Sequence, residues 1–248
     1  MLGHWHSYTM QAAGKTGGIP TAGLVFWHPL QEELDILPTG QTITNTGNWT
    51  YDIVDGVPCA TKSNGNAHIN ATNSEGIPTG SATRTLSIWL MRLYDNASMV
   101  CGWGSQAGAV SERWLYRTAT GAVFPPPYQP SGFSAAIGVW HHYATSYDGT
   151  RVRSYIDGVL VRTVTPDVAT TTAAPYIGAS SWQYGFRVAA MRIYDRALKS
   201  SEIKELSKEF SPIAANRLTM ARPGLLMAAK PPFVEGVEVV DPDYVEDC

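Results

Sequence analysis

The stretch 140–161 constrains the fold more than any other part of the chain. It contains three short runs of alternating side chains, separated by Asp148-Gly149 and by Asp157-Gly158. An Asp-Gly pair between two such runs is typical of a hairpin turn, because the turn needs positive φ and glycine has no Cβ to clash. The two turns, nine residues apart, therefore predict a meander of three antiparallel strands.

Similar short runs precede and follow this meander. The longest, Thr83 to Tyr94, is apolar on both faces and is typical of a central strand that is covered on both sides. A change of period follows the last run, where the spacing of Ile203 and Leu206 predicts one helix over about 200–209, capped by a serine at 200 or 201. About a dozen strands with one terminal helix predict an all-β, two-sheet antiparallel sandwich.

The pattern divides the chain into three parts. Residues 1–21 are predicted to form an extended N-terminal arm, 22–210 the β domain, and 211–248 an extended, proline-rich C-terminal arm. The six acids after Lys230 leave a net charge of about +3 on the rest of the chain. Apolar residues on the C-terminal arm are predicted to anchor it to a partner, namely Leu225, Leu226, Met227 and Phe233.

Composition excludes several classes of protein. The charged fraction is only 16% and no basic stripe is present, which argues against nucleic-acid binding. No run of about 18 apolar residues predicts a membrane span, and Met1 to Met10 lacks the apolar core of a signal peptide. Three cysteines, Cys59, Cys101 and Cys248, cannot all pair within one chain, so we expect free thiols from a reducing cytoplasm, with a Cys59–Cys101 bridge as the alternative.

The residues resemble the laminin-G-like, concanavalin A-type jelly-roll family. The resemblance lies in 140–161, in Gly178 before a variable loop, in a closing strand and helix at 192–203, and in an opening strand at 23–30. It covers about residues 22–210 and implies a jelly roll that serves sugar binding, adhesion, polysaccharide cleavage or structural packing. The flanking segment 206–226 resembles the arms of structural proteins of tailed bacteriophages.

Acidic residues do not have the spacing that the family's polysaccharide-cleaving members use. Glu32, Glu33 and Asp35 form the nearest cluster, but Leu37 and Pro38 interrupt the alternation that would place two carboxylates on one strand face. The acids of the C-terminal arm lie outside the sandwich. We therefore expect a protein that is not an enzyme.

Histidines and aspartates give no strong metal signal. His141 and His142 are neighbours on a strand and point to opposite faces, so we expect one packed and one near the surface. His4 and His6 alternate without a third ligand for zinc. The resemblance implies calcium as a possible ligand, with Asp52, Asp55 and Asp148 as candidates, but turn chemistry already explains the aspartates that precede glycine. No metal or cofactor is predicted.

Aromatic residues in loops are the one positive binding signal. Large rings in polar loops suit stacking against flat sugar faces or a partner, with local packing as the alternative. The candidates are Trp103, Tyr128, Trp182 and Tyr184. Those on strands, Trp27, Trp89 and Trp140, are predicted to be core.

These observations predict a structural and adhesive module of a virus particle, most simply a phage. The protein would be made in the host cytoplasm, anchored to other virion proteins through its arms, and would display the sandwich toward cell-surface glycans. A free-standing lectin-like protein is the alternative, and a polysaccharide-degrading enzyme is a third.

Overall fold

The computed structural model describes residues 18–31, 37, 39–62, 65–95, 98–105, 113–119, 122–124, 126, 133–134, 136–179 and 185–210. These residues form two antiparallel sheets, as the alternating runs predicted. The first sheet contains, in spatial order, β13 (Val159–Val164), β12 (Val152–Ile156), β11 (Trp140–Tyr147), β6 (Arg84–Arg92), β15 (Phe186–Tyr194), β4 (Val57–Lys62) and β3 (Trp49–Val54), with β1 (Leu24–His28) also paired to β15.

The second sheet faces the first and completes a jelly-roll sandwich. Its strands lie in the order β10 (Phe133–Ser134), β9 (Ala122–Phe124), β8 (Arg113–Ala119), β7 (Ser98–Gly104), β14 (Tyr176–Ala179), β5 (Ala67–Ala71) and β2 (Ile43–Thr46). One helix, α1 (Ser200–Leu206), follows β15. No helix in the described ranges is long and apolar enough to cross a membrane.

The predicted meander is confirmed as β11, β12 and β13. Asp157 and Gly158 both have positive φ, at 52° and 81°, as a two-residue type I′ turn requires. The other turn is longer than two residues. The carboxylate of Asp148 accepts the backbone N–H groups of Thr150 and Arg151 at 2.9 and 2.6 Å, so a side chain closes this loop.

The central position predicted for 83–94 is confirmed by β6, which is buried along its whole length. Alternate residues, including Leu86 and Leu90, point into the main core between the two sheets. The intervening residues, including Trp89 and Met91, point to the outer face of the first sheet and join a second buried cluster. The first sheet is therefore covered on both faces.

Two elements cover this outer face. Phe210 packs against Trp89, with ring centroids 5.5 Å apart, and Trp140 Nε1 donates a hydrogen bond to the carbonyl of Val54 at 3.2 Å. The turn end of the β3–β4 hairpin, beyond the residues of β4 that pair with β15, therefore curves over the outer face of the sheet. A third buried cluster contains Ile203 and Leu206 of α1, which pack against strands nearer β13.

The helix confirms the predicted element but not its cap. Its N-cap is Lys199, whose backbone N–H donates to the carboxylate of Glu202 at 2.9 Å. Ser200 is the first helical residue, and its hydroxyl contacts the hydroxyl of Tyr155 at 3.1 Å. The predicted serine cap was wrong because Ser200 and Ser201 lie inside the helix, and the N–H of the N-cap residue Lys199 is bound by Glu202.

The two described cysteines are unpaired thiols, as expected. Cys59 lies in the cluster on the outer face of the first sheet, whereas Cys101 lies in the core between the sheets. Burial raises the pKa of both thiols. Cys248 lies outside the described residues.

Arg84 is a fully buried cation that holds the loop before β6. Its guanidinium donates to the carbonyls of Pro78, Thr79, Gly80 and Ala82 at 2.7–3.3 Å. Burial lowers its pKa to about 10. Four partly or fully buried hydrogen bonds to these carbonyls would be lost if this side chain were removed.

We expect Arg84→Met to lower the free energy of unfolding by about 3 kcal/mol or more, because buried acceptors without donors each cost about 1–3 kcal/mol. Urea denaturation of the variant and the parent protein measures this loss. Arg151→Met, at an exposed position, is the matched control and should stay within about 0.5 kcal/mol. A loss of less than 1 kcal/mol in Arg84→Met would contradict the role assigned to Arg84.

Candidate functional site

One end of the sandwich brings together the connections that follow β6, β12 and β14. The register places Arg92 beside Phe186, and Met91 beside Trp140, at this end of the first sheet. The turn at 157–158 lies at the same end, because β12 runs antiparallel to β11. We call this surface the rim, and its described members are Tyr94, Asp95, Ile137, Val139, His141, Asp157 and Val159.

The rim exposes apolar side chains. Tyr94, Ile137, Val139 and Val159 have 42–64% of their surface in water, and they are four of the six exposed large hydrophobic residues in the described ranges. The backbone N–H of Gly138 donates to the carbonyl of Arg92 at 2.9 Å, which places residues 137–139 beside the end of β6. Exposed apolar surface with a polar border is typical of a binding site.

The polar part of the rim centres on the carboxylate of Asp157. One oxygen accepts the backbone N–H of His142 at 2.8 Å, and the other lies 2.7 Å from Nδ1 of His141. Because an ionised carboxylate only accepts hydrogen bonds, Nδ1 must carry the proton. The carboxylate is therefore held by two donors, yet about half of its side chain is exposed, at 48%.

A second carboxylate lies beside the aromatic residue of the rim. Asp95 pairs with the guanidinium of Arg92, whose side chain is 2% exposed, whereas that of Asp95 is 51% exposed. The negative charge of Asp157 also affects the buried Tyr143. Burial raises the pKa of the Tyr143 hydroxyl, and the charge of Asp157 raises it further.

The two neighbouring histidines differ in exposure, since His141 is partly exposed and His142 is buried. Nε2 of His142 lies 2.8 Å from the hydroxyl of Ser87 on β6, and the ring of His142 packs against Trp89. Burial lowers the pKa of His142 to about 3. This arrangement confirms the prediction of one packed and one surface histidine.

A second buried histidine lies at the end of β1. His28 accepts the backbone N–H of Leu30 through Nδ1 at 3.1 Å. Burial lowers its pKa to about 4. Both imidazoles are consequently neutral in the folded protein at pH 7.

The assignment of Trp103 to a loop was wrong. It lies on β7 and is fully buried, with its Nε1 donating to the carbonyl of Pro78 at 2.7 Å. The neighbouring glycines suggested a turn, but a Cβ at Gly102 would lie 2.3 Å from the carbonyl oxygen of Trp114. Glycine is needed there for close packing of two strands, so Trp103 cannot stack on a ligand. Trp89 and Trp140 are buried, as predicted. The prediction that Trp27 is core was wrong, because its ring is half-buried on β1, where the guanidinium of Arg192 lies 5.5 Å from the ring centroid.

The other predicted site residues lie outside the described residues. They are Tyr128, Trp182, Tyr184, Leu225, Leu226, Met227 and Phe233. The connection that contains Trp182 and Tyr184 begins after Ala179, which pairs with Ala67, and ends at Gly185, where an added Cβ would lie 3.3 Å from the ring of Tyr94. Both ends of this connection therefore lie at the end of the sandwich that carries the rim.

Sequence reasoning missed Tyr94 and the pairing of His141 with Asp157. The sequence predicts a strand that ends at Tyr94, whereas β6 ends at Arg92 and the ring of Tyr94 is exposed to solvent. Asp157 was explained by its turn alone. Its partner stands on β11, and only the pairing of β11 with β12 brings the two side chains together.

Two of the three aspartates proposed for calcium act within turns, whereas Asp52 lies on β3. Asp148 closes the loop after β11 and pairs with Arg153 at 2.9 Å, while Asp55 occupies a positive-φ turn position before Gly56. Within the part of the chain that the structure describes, no three side chains of His, Cys, Asp or Glu are grouped to hold a metal ion.

A shallow polar depression of about 380 Å³ lies at the opposite end of the sandwich, beside the start of β1. Its most buried polar side chain, Gln41, donates to the carbonyl of Val25 and accepts the hydroxyl of Thr39. The side-chain amide of Gln41 is therefore already hydrogen-bonded within the protein. The rim is therefore the stronger candidate for a binding site.

Comparison with known families gives one match. A model described as the concanavalin A-like lectin/glucanases superfamily matches residues 62–204, which is more than half of the chain. No curated protein matches the chain in sequence.

Solved structures share the fold at low sequence identity. The receptor-binding domain of botulinum neurotoxin C/D mosaic serotype has a TM-score of 0.61 and 10% identity over 75% of this chain and 51% of that one. The botulinum serotype D ligand-binding domain, in complex with N-acetylneuraminic acid, has a TM-score of 0.58 and 11% identity over 75% and 50%. Trypanosoma rangeli sialidase has a TM-score of 0.59 and 17% identity over 79% and 34%. The chain thus spans about half of the two botulinum chains and about a third of the sialidase chain.

We expect the free energy of unfolding to fall as the pH drops from 6.5 toward 4. The folded pKa values of His28 and His142, about 4 and about 3, lie below the value of 6.5 for an exposed histidine. The unfolded chain therefore binds more protons in acid, and at pH 5 each histidine should cost roughly 2 kcal/mol.

Urea denaturation at pH 7.5 and pH 5 tests this expectation. In His142→Gln the decrease in the free energy of unfolding between pH 7.5 and pH 5 should be smaller by roughly 2 kcal/mol, because the glutamine amide does not titrate. His141→Gln is the control and should keep the loss, since His28 and His142 are unchanged. An equal pH dependence in His142→Gln and the parent would show that His142 is not the titrating group.

Proposed function

The chain belongs to the concanavalin A-like lectin/glucanases superfamily, and from this premise we propose that it is a non-enzymatic, glycan-binding module of a virus particle. The rim carries the binding part of the proposal. It combines an exposed aromatic ring, apolar neighbours and a carboxylate that two donors hold in place. Arms outside the sandwich carry the structural part.

The chemistry of the rim suits a sugar. The ring of Tyr94 offers a flat apolar face for stacking, and the carboxylate of Asp157 offers acceptors for sugar hydroxyls. The fold is also used by a serotype D domain in complex with N-acetylneuraminic acid, which supports a sugar as the ligand class. Trp182 and Tyr184, which lie outside the described residues, remain candidates for the same stacking role.

The carboxylates of the rim do not suit glycoside cleavage. Hydrolysis by two carboxylates needs one that protonates the leaving group and another that attacks or activates water. Asp95 pairs with Arg92 and Asp157 with His141, so both carboxylates have partners within the fold. This pairing supports binding without catalysis.

The C-terminal arm suits an anchor. Phe210, the last described residue, packs against Trp89, so the residue that precedes the predicted arm is held on the sandwich. Residues 211–234 carry three bases and no acid, whereas 235–248 carry six acids. An arm with apolar anchors and two blocks of opposite charge suits attachment to a neighbouring virion protein, in keeping with the resemblance to phage structural proteins.

We expect Tyr94→Ala to weaken glycan binding about tenfold, because loss of a central aromatic contact costs on the order of 1–2 kcal/mol. A bead-coupled, multivalent form of the protein on a glycan array measures this, since avidity can raise weak binding about 10²–10⁴-fold. Ile53→Ala, exposed away from the rim, is the control and should bind like the parent. If the multivalent parent retains no glycan, the binding proposal fails.

We expect truncation after Phe210 to abolish incorporation into particles while the sandwich remains folded. The truncation removes the apolar anchors but no described residue. Sedimentation of particles assembled with full-length or truncated protein measures incorporation, and circular dichroism checks the fold. Equal incorporation of the two forms would refute the anchoring role of the arm.

A further inference from the structure

We infer that the four residues after α1, Ser207 to Phe210, control the rim by holding the turn that carries Asp157. We call these four residues the strap. Because the strap joins the sandwich to residues 211 onward, attachment of the C-terminal arm and binding at the rim are then linked. The inference rests on the proposed function and concerns the regulation of the same site.

The strap contacts the turn of the rim directly. Gly158 has no room for a side chain, since an added Cβ would lie 2.5 Å from Oγ of Ser207 and 3.1 Å from Cα of Lys204. The hydroxyl of Ser207 donates to the carbonyl of Lys204 at 2.9 Å, which fixes its position. One side of the turn therefore packs against the end of α1 and the strap, while Asp157 leaves its carboxylate half exposed on the rim.

The strap also reaches this carboxylate through the outer face of the first sheet. The ring of Phe210 packs against Trp89, and Trp89 packs against the ring of His142, each time with centroids 5.5 Å apart. The backbone N–H of His142 donates to the carboxylate of Asp157 at 2.8 Å. Displacement of Phe210 therefore removes a packing contact behind the residue that holds Asp157.

A buried ion pair holds the strap on the sheet. The carboxylate of Glu209 accepts two hydrogen bonds from the guanidinium of Arg192, each at 2.8 Å, and the two side chains are 15% and 2% exposed. Burial lowers the pKa of His142, the charge of Asp157 raises it, and that of Arg192 lowers it, so the ion pair and the rim act on one ring. Release of Glu209 would leave a buried charge unpaired, which disfavours states between docked and released.

The backbone of β15 is distorted in a way that makes this ion pair possible. Phe186 points into the main core, and strict alternation along the strand would send Arg192 there too. A bulge before Arg192, in which Ala190 has a positive φ of 50°, turns the guanidinium to the outer face, where Glu209 binds it. Positive φ is costly for a residue with a Cβ, so backbone strain is retained where the strap is held.

Hydrogen exchange tests the inference without a ligand. In Glu209→Ala and in Phe210→Ala we expect exchange to become about tenfold faster in the strap and at the backbone N–H groups of His142 and Asp157, while β7 keeps the parental protection. Glu205→Ala is the matched control, because its ion pair lies at the surface and contributes little. Release of the strap with parental protection at His142 and Asp157 would overturn the inference, and so would parental exchange of the strap in both variants.

Two glycines test the same link from the side of the rim. Gly158→Ala and Gly149→Ala both place a Cβ at positive φ, 81° and 96°, but at position 149 the nearest atom lies 4.0 Å away, on Thr83. We expect about tenfold faster exchange of the strap in Gly158→Ala and parental exchange in Gly149→Ala. Adding Ser207→Ala, which removes the closest obstructing atom, should restore part of the protection in Gly158→Ala. Equal exchange of the strap in the two glycine variants would overturn the inference.

Binding measurements separate this inference from the proposed function. On a glycan array, multivalent Phe210→Ala should bind about tenfold more weakly to any glycan that the parent retains, because Asp157 is no longer held. Parental affinity in this variant, with faster exchange at His142, would overturn the regulatory role of the strap. If exchange is coupled as expected but no form of the protein retains a glycan, the strap still positions Asp157 and the glycan-binding function is refuted.

Discussion

Burial of the first sheet on both faces is the constraint on which the rest of the structure depends. β6 lies at the centre of that sheet and has no exposed residue, so each of its side chains must find a neighbour above or below. The second sheet covers one face, and α1, Phe210 and the hairpin of β3 and β4 cover the other. Little apolar surface on the first sheet then reaches water except at its ends and edges, which is where the rim lies.

Buried polar groups make this packing specific. Arg84 satisfies four carbonyls of one loop, and His142 joins β11 to Ser87 of β6. An unpaired buried donor or acceptor is costly, so such bonds tolerate few alternative arrangements. His142 also positions Asp157 through its backbone N–H. The exposed carboxylate of the rim is in this way held by the buried part of the sheet.

Much of the fold was predictable, whereas the site was less so. The Asp-Gly turns, the two-faced apolar run of β6 and the terminal helix are local patterns, and each appears where it was predicted. Trp103 was misplaced because its flanking glycines looked like a turn, whereas they allow two strands to pack closely. Tyr94 was missed because the strand ends two residues earlier than predicted, at Arg92, which leaves the ring of Tyr94 exposed.

Side-chain periodicity and turn chemistry act over a few residues, so they were sufficient to specify the strands, the meander and the two-sheet class. The partners of those strands come from distant parts of the chain, and loop closure and packing select them only in the folded domain. His141 meets Asp157 and Phe210 meets Trp89 for this reason. Tertiary pairing thus decided which residues form the rim, because a surface site is assembled from strand ends that are neighbours in space and not in sequence.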